Sequence, residues 1–150
     1  MNCARPSNGL QTDPQTSARL GRIRQRGTAP ELAVRRLVTI LGHRYRIENR
    51  DLPGSPDLAN RRRRWAIFVH GCYWHSHRGC VRATIPTRNR AFWESKFEAN
   101  RARDARAVRA LLAMDFRVIT LWECELANPD AIVRRLRREL TVHRAAKRPS

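Results

Sequence analysis

The stretch from Trp65 to Cys80 constrains the fold more than any other part of the sequence. It begins with five consecutive apolar residues, WAIFV, which have the length and composition of a buried central strand. It continues as HGCYWHSHRGC, a run too rich in His, Cys and Gly to form a regular helix or strand. We therefore expect a central strand that ends in a polar loop with many possible metal ligands and proton acceptors.

Soft metal ligands cluster in this loop and recur once after it. Cys72, His77 and Cys80 fall within nine residues, and Cys124 follows a later apolar strand. Thiolate sulfur and imidazole nitrogen are the usual ligands of closed tetrahedral zinc sites, so the spacing indicates one structural zinc ion held by all four side chains. The alternative is three buried thiols that pack as small hydrophobic groups beside polar histidines.

The remaining pattern predicts helices and short strands. Thr28 and Glu31 form a capping-box pattern with Pro30 in the first turn, which predicts a helix over roughly 29–41. The other predicted elements are a short strand at Tyr45–Glu48, a strand-like segment at Asp57, a hairpin tip at Arg61–Arg64, a helix from about Thr87 to Met114, a strand at Val118–Trp122 and a helix from Pro129 to about His143. The order αβββαβα indicates an α/β fold, a small mixed β-sheet flanked by helices.

A chain of 150 residues suits one domain with loose ends. Residues 1–18 lack periodicity and carry Pro, Ser, Asn and Gly, so we interpret them as a flexible tail, with Cys3 as a free thiol. The predicted domain covers residues 19–143 and opens with a basic arm of four arginines at 19–26. Residues 144–150 are interpreted as a basic C-terminal tail.

The charge of the chain indicates a polyanionic partner. There are 31 Lys and Arg residues against 13 Asp and Glu, which gives a formal net charge of +18. Arginine grips phosphate oxygens in pairs, and a field this positive steers a protein onto nucleic acid. A codon bias towards arginine in a GC-rich genome is the alternative, but it does not explain why acidic residues are so few.

The sequence also argues against a membrane or secreted protein. It has no apolar run of about 18 residues and no apolar stretch of signal-peptide type at the N-terminus. We therefore expect a cytoplasmic location, where cysteines stay reduced and are free to bind metal.

Two histidines and two carboxylates remain as candidates for chemistry. His70 and His75 flank the first zinc ligand without being needed for coordination, and an imidazole that titrates near neutrality can accept or donate a proton. Asp57 lies ahead of the buried strand, where a carboxylate could hold Mg²⁺. Each has a simpler explanation: the histidines as outer or alternate zinc ligands, Asp57 as a turn residue, and Glu31 as the capping-box partner.

Several motifs in this order resemble the very short patch repair (Vsr) endonuclease family. They are Leu52-Pro-Gly-Ser-Pro-Asp57, the segment from Ile67 to His77 with its HGCYWHSH core, Phe92-Trp93-Glu94 and Trp122-Glu-Cys124. The match runs from about Ser17 to Leu126. It differs from some relatives at Ser76 and at Arg78-Gly79, which replace a His-rich stretch.

The resemblance implies a restriction-endonuclease-like core of the PD-(D/E)xK type, in which histidine replaces the usual lysine. Asp57 would hold Mg²⁺ with help from the backbone carbonyl of Val69. His75 would be the general base, and His70 would contact the scissile phosphate or assist the leaving group. Glu31 matches a helix carboxylate implicated in the same active site.

The resemblance also assigns the zinc site and the DNA contacts. The zinc ligands would be Cys72, His77, Cys80 and Cys124, in agreement with their spacing, and the aromatics wedged beside the mismatch would be Tyr73, Trp74 and Trp93. The alternative for these aromatics is core packing, above all for Trp93, which lies on a predicted helix. An apolar wedge unstacks a base step most easily where pairing is already defective, which favours a mismatch.

The function implied is a Mg²⁺-dependent endonuclease that nicks double-stranded DNA 5′ of the thymine in T:G mismatches left by 5-methylcytosine deamination. A monomer would suffice for a nick, and the mismatch-repair protein MutL is an expected partner at the level of the family. Two alternatives stay open: a zinc-stabilised, non-catalytic DNA-binding module, and a restriction-type endonuclease that cuts matched DNA.

Overall fold

The computed structural model describes residues 27–141. Within this range the regular elements are α1 (Ala29–Ile40), β1 (Leu58–Asn60), β2 (Trp65–His70), α2 (Arg90–Ala113), β3 (Arg117–Trp122) and α3 (Pro129–Thr141), with a 3₁₀ turn at Glu123–Ala127 between β3 and α3. The tail 1–18 with Cys3, the basic arm at 19–26 and the C-terminal tail 144–150 lie outside the described residues.

The three strands form one mixed sheet in the order β1-β2-β3. β1 and β2 are antiparallel, with Leu58 opposite Ile67, and the tight tip that joins them falls at Arg61–Arg64 as predicted. β2 and β3 are parallel, with Trp65 opposite Arg117, and α2 makes the long crossover that parallel strands require. This arrangement confirms the prediction of a small mixed α/β fold.

The central strand β2 is buried on both faces, because its side chains alternate between two apolar clusters. Trp65 and Ile67 belong to a cluster that includes Val34 and Val38 of α1 and Leu136 of α3. Ala66 and Phe68 face the other way. The cluster on that second face includes Ala107 and Leu111 of α2 and Phe116 just before β3. The sheet is therefore covered by α1 and α3 on one face and by α2 on the other.

Helix α1 begins where the capping pattern predicts. The Thr28 hydroxyl accepts a hydrogen bond from the Glu31 backbone N–H at 3.4 Å. The Glu31 carboxylate accepts from the backbone N–H of Gly27 at 2.9 Å, one residue further back than the usual capping box. Side chains thus accept hydrogen bonds from two backbone N–H groups at the start of the helix, and the Glu31 side chain is held there.

Two predicted boundaries differ from the structure. The predicted strand at Tyr45–Glu48 reduces to one bridge between Arg46 and Ala59, because Glu48 adopts a positive φ of 57° that ends the extended run. Helix α2 begins at Arg90 rather than near Thr87, since Asn89 has a φ of 56° and lies outside helical geometry. Over residues 27–141, no helix has the length and apolar character needed to span a membrane.

Candidate active site and metal centre

The carboxyl ends of β2 and β3 open into the candidate site. β2 ends at His70, which is buried and directed to the α2 side of the sheet, as are Thr120 and Trp122 of β3. The chain then turns back, with the His75 N–H donating to Gly71 O at 3.2 Å and the His77 N–H to Cys72 O at 2.9 Å. These turns place the His75 ring parallel to the His70 ring, with centroids 3.8 Å apart.

His75 is held by a carboxylate that the sequence analysis did not single out. Asp104 lies in the middle of α2, and its Oδ2 is 2.5 Å from Nδ1 of His75. Both side chains are half-buried. With the Nδ1 proton donated to Asp104, Nε2 of His75 is left as a proton acceptor, which is the arrangement that orients a general base.

His70, His75 and Asp104 have ligand atoms within 4.8 Å of one another, so they also satisfy the geometric requirement for a metal group. The short contact between His75 and Asp104 favours a hydrogen bond instead. A nitrogen and an oxygen that both bind one metal ion at about 2 Å lie farther apart than 2.5 Å unless the ligand–metal angle is very acute. We therefore assign the pair as a hydrogen-bonded dyad.

The two stacked histidines, His70 and His75, lie in different electrostatic environments. The pKa of His70 is lowered to about 4, first by burial and then by the charge of His75, while Asp104 acts in the opposite direction. For Asp104, burial raises the pKa, but the hydrogen bond and charge of His75 outweigh it, so the net pKa is lowered. At neutral pH His70 is therefore neutral, and Asp104 is ionised beside His75.

Asp57 lies just before β1, beyond the paired residues of the β1-β2 ladder. Its Oδ2 accepts a hydrogen bond from the Val69 N–H at 2.7 Å. The pKa of Asp57 is raised to about 6, first by burial and also by nearby Glu31, although the Val69 hydrogen bond, Arg35 and His75 lower it. Asp57 is thus a half-buried carboxylate with electrostatic neighbours on both α1 and the 70–80 loop.

Glu31 is brought to the same region from α1. It is 6% exposed and lies 3.5 Å from the guanidinium of Arg35 one turn later. Its repulsion contributes to the raised pKa of Asp57. A buried carboxylate and a half-buried one therefore repel each other, which is the electrostatic situation that a bound cation relieves.

The four predicted zinc ligands converge. The ligand atoms of Cys72, His77, Cys80 and Cys124 all lie within 4.8 Å of one another, and Cys124 Sγ is 3.4 Å from His77 Nδ1. Burial raises the pKa of Cys72 to about 12, so without a cation this thiol stays protonated. Three sulfurs and one imidazole at a common centre form a donor set that fits a tetrahedral soft-metal site.

The candidate zinc ligands also support the histidine stack. The Trp122 ring stacks on the His77 ring at 4.1 Å with a 5° interplanar angle, and it meets the His70 ring edge-on at 5.2 Å. The metal-ligand cluster and the His70–His75 stack are thus linked through one indole ring.

The three predicted DNA-contacting aromatics are also brought together. Tyr73 packs edge-on against Trp74 at 5.1 Å and lies 6.4 Å from Trp93 between ring centroids. Lys96 lies over both indoles, at 5.9 Å from Trp74 and 5.3 Å from Trp93. Tyr73 and Trp74 are half-buried, whereas Trp93 is only 8% exposed, so Trp93 would have to leave this cluster to reach a base.

One face of α2 holds two adjacent residues of the loop, Trp74 and His75. Asn100 donates from Nδ2 to the Trp74 carbonyl at 3.1 Å, and Asp104, one turn later, contacts His75. Sequence analysis missed both residues. The only available signal was that they lie four residues apart in a predicted helix, and nothing in the pattern indicated which loop that face would meet.

Comparisons with known proteins identify relatives among DNA endonucleases. The family described as DNA mismatch endonuclease Vsr matches residues 10–82. The chain is similar to the type II nicking enzyme V.XorIIP of Xanthomonas oryzae pv. oryzae, with 46% identity over 77% of this chain and 84% of that protein. It is also similar to the DNA mismatch endonuclease Vsr of Escherichia coli K12, with 36% identity over 73% and 70% of the two chains. The type II nicking enzyme V.NmeAIP of Neisseria meningitidis shares 36% identity over 78% and 83%.

Proposed function

The chain belongs to the Vsr family of DNA mismatch endonucleases, and from this premise we propose that it nicks double-stranded DNA 5′ of the thymine in T:G mismatches. The observation that carries the proposal is the His75–Asp104 dyad beside Asp57 at the end of β2. A non-catalytic DNA-binding module has no need for an oriented imidazole in the electrostatic neighbourhood of a half-buried carboxylate.

In this proposal His75 is the general base. Its Nε2 accepts a proton from a water molecule, and the water oxygen attacks the scissile phosphorus. The bond from phosphorus to the 3′ oxygen then breaks, which leaves a 3′-hydroxyl and a 5′-phosphate. Asp104 positions the ring and stabilises the imidazolium that forms, as the carboxylate does in other carboxylate–histidine pairs.

His70 serves best as a contact to the scissile phosphate. A group whose pKa is lowered to about 4 carries a donor N–H at neutral pH but no proton to release as an imidazolium. The stacking distance of 3.8 Å supports the same division of labour, since two adjacent charged rings would repel each other. The 3′ oxygen would then take its proton from solvent.

Asp57 and the Val69 carbonyl are the proposed Mg²⁺ ligands, with Glu31 as a supporting carboxylate. One Asp57 oxygen accepts the Val69 N–H, which leaves the other oxygen free. The N–H and C=O of a strand residue point to the same side, so the Val69 carbonyl lies on the side of Asp57. Hard oxygen ligands suit Mg²⁺, and when bound it polarises the phosphate and stabilises the leaving oxyanion.

Cys72, His77, Cys80 and Cys124 are the proposed zinc ligands. Four protein ligands leave no open coordination position, so this zinc is structural and the chemistry takes place at the dyad. It would tie the 70–80 loop to the end of β3, and through Trp122 it would hold the histidine stack in place.

Tyr73 and Trp74 are the proposed wedge, with Trp93 as the third aromatic, which would reach the DNA only after repacking. Base–aromatic stacking offsets part of the cost of unstacking a base step, and this cost is least at a weak pair. Lys96 above both indoles adds a charge that suits a nearby phosphate. The restriction-endonuclease-like core over residues 19–143, the monomeric state and MutL as a partner are part of the same proposal.

The test of this function is a strand-specific nicking assay with Mg²⁺ on T:G and matched duplexes in several flanking sequences, with Asp57→Ala as the blank. A nick confined to the thymine strand of the mismatch supports the proposal. Cutting of matched DNA would support a restriction-type enzyme, and DNA binding without Asp57-dependent cutting would support a binding module.

A further inference from the structure

The cleft between α2 and the sheet that contains the His75–Asp104 dyad extends to residues that have no role in the chemistry described above. Its volume is about 350 Å³. The dyad lies along it, Val108 and Trp122 contribute apolar surface, and two arginines, Arg78 and Arg101, line it.

Arg78 and Arg101 lie in different elements and line the same cleft. Arg78 lies in the loop between the candidate zinc ligands His77 and Cys80, and it is exposed. Arg101 lies on α2 and is half-buried. It shares a helix face with Asp104 and Val108, three and seven residues later, and all three line the cleft. Asn100 and Asp104 hold the loop to the same helix at Trp74 and His75, so Arg78 and Arg101 line the cleft from two attached elements.

Both guanidiniums are available to a ligand. Over the described range 27–141, neither Arg78 nor Arg101 has a carboxylate within 4.0 Å, whereas Arg35, Arg61, Arg82, Arg90, Arg135 and Arg138 each do. The one carboxylate in the lining, Asp104, is already engaged by His75. The cleft is therefore cationic, and low-dielectric walls strengthen the attraction for an anion.

We propose that Arg78 and Arg101 together bind one DNA phosphate of the cleaved strand, next to the scissile phosphate, with the attached sugar against the apolar surface of the cleft. This inference rests on the proposed function, because it takes His75 as the point where the scissile phosphate lies. Guanidinium groups bind phosphate oxygens in pairs, and the cleft continues directly from the dyad. The contact fixes the strand relative to His75.

The variants for the test are Arg78→Ala, Arg101→Ala and Arg101→Lys. The control is Arg134→Ala, which removes one exposed arginine from α3, on the opposite face of the sheet. Because these side chains lie at the surface, thermal unfolding should be unchanged. DNA binding should weaken by about tenfold to a hundredfold for each cleft variant. The loss of affinity should be similar on matched and mismatched duplex, and the dependence of log affinity on log salt concentration should become shallower by about one unit. Arg101→Lys should recover part of the lost affinity.

The decisive measurement is a double-mutant cycle in which one neutral methylphosphonate at a time replaces each phosphate around the nick. For the wild-type protein, a methylphosphonate at one position within two nucleotides of the nick should weaken binding. The same methylphosphonate should not weaken binding further in Arg78→Ala or Arg101→Ala, because these variants have already lost the contact. The inference would be overturned if the losses of DNA affinity from the arginine variant and from the methylphosphonate were additive at every position. It would also be overturned if the cleft variants lost no more affinity than Arg134→Ala.

The binding measurement does not require cleavage, so the two proposals fail separately. A wild-type protein that nicks T:G duplex, with cleft variants that behave like Arg134→Ala, would reject the cleft alone. A wild-type protein that shows no Asp57-dependent nick would reject the proposed function, whatever the cleft variants do.

Discussion

At the scale of single residues, environment rather than residue type assigns the roles in the site. His70 and His75 are stacked 3.8 Å apart, yet only His75 contacts a carboxylate, and burial keeps His70 neutral. Asp57 and Asp104 differ in the same way. Burial raises the pKa of Asp57 to about 6, whereas the net pKa of Asp104 is lowered by its histidine partner.

The dyad can be tested by removing one charge. We expect Asp104→Asn to lower the single-turnover nicking rate by about two to four orders of magnitude, because His75 loses the group that sets its tautomer and stabilises its protonated form. Affinity for T:G duplex should be almost unchanged. Asp115→Asn is the matched control, since Asp115 is an exposed turn residue with a φ of 61° that asparagine tolerates. An Asp104→Asn enzyme that nicks at the wild-type rate would remove Asp104 from the mechanism.

The half-buried carboxylate of Asp57 predicts that the free energy of unfolding depends on pH. Its folded pKa of about 6 lies above the ordinary value of 3.8, so the folded state binds the proton more tightly, and stability falls as pH rises from about 4 to 6. At pH 8 without Mg²⁺, Asp57→Asn should therefore be more stable than the wild type by about 3 kcal/mol, with little difference near pH 4. Denaturant unfolding at the two pH values measures this. The same stabilisation at both would contradict the assignment, and added Mg²⁺ should stabilise only the wild type.

At the scale of elements, α2 holds both the proposed aromatic wedge and the proposed general base. Asn100 holds Trp74, and Asp104 holds His75, so one helix face positions adjacent residues of the 70–80 loop. The metal-ligand cluster holds the other end of the same loop to the chain that follows β3. A change at either attachment should therefore reach both the aromatic wedge and the dyad.

The metal-ligand cluster provides the second attachment. We expect Cys124→Ala to lose bound zinc and to lower the melting temperature, because the loop is released from the end of β3 and its buried ligands lose their cation. Zinc content by elemental analysis and thermal unfolding measure both effects. Retention of one zinc ion per chain in Cys124→Ala would show that Cys124 is not a ligand.

The wedge is tested by its selectivity. Trp74→Ala should weaken binding to T:G duplex more than binding to matched duplex, because the stacking contribution of about 1 to 3 kcal/mol is used only where a step opens. Competition binding with the two duplexes measures the ratio. Equal losses on both would assign Trp74 to general affinity.

Sequence reasoning predicted the fold correctly where the cause was local, and it predicted that Cys72, His77, Cys80 and Cys124 lie together. The start of α1 was predicted from Thr28 and from Pro30 in the first turn, and β2 was predicted from a continuous apolar run. Sequence reasoning failed where a feature depends on a backbone dihedral angle or on a contact between residues far apart in the sequence. The positive φ of Glu48 ended an apparent strand, and Asp104 reaches His75 across 29 residues of chain. The burial of Trp93 likewise depends on which loop packs on α2.

At the scale of the whole molecule, charge and sheet geometry act together. The net charge of +18 draws the protein to DNA without regard to sequence, and the carboxyl ends of β2 and β3 place the dyad, Asp57 and the cleft within one region. Binding to any duplex should therefore weaken by about three to five orders of magnitude between 50 and 200 mM salt if six to ten phosphates are contacted.

The most direct test of the account is single-turnover nicking of a T:G duplex labelled on both strands, with Mg²⁺, by the wild type and by His75→Ala. We expect the wild type to cut only the thymine strand, 5′ of the mismatched thymine, and to leave a 5′-phosphate. His75→Ala should bind the duplex with nearly wild-type affinity and cut it at least a hundredfold more slowly, the lower range of general-base catalysis. Cleavage by His75→Ala at the wild-type rate would contradict the central claim that His75, held by Asp104, activates the water.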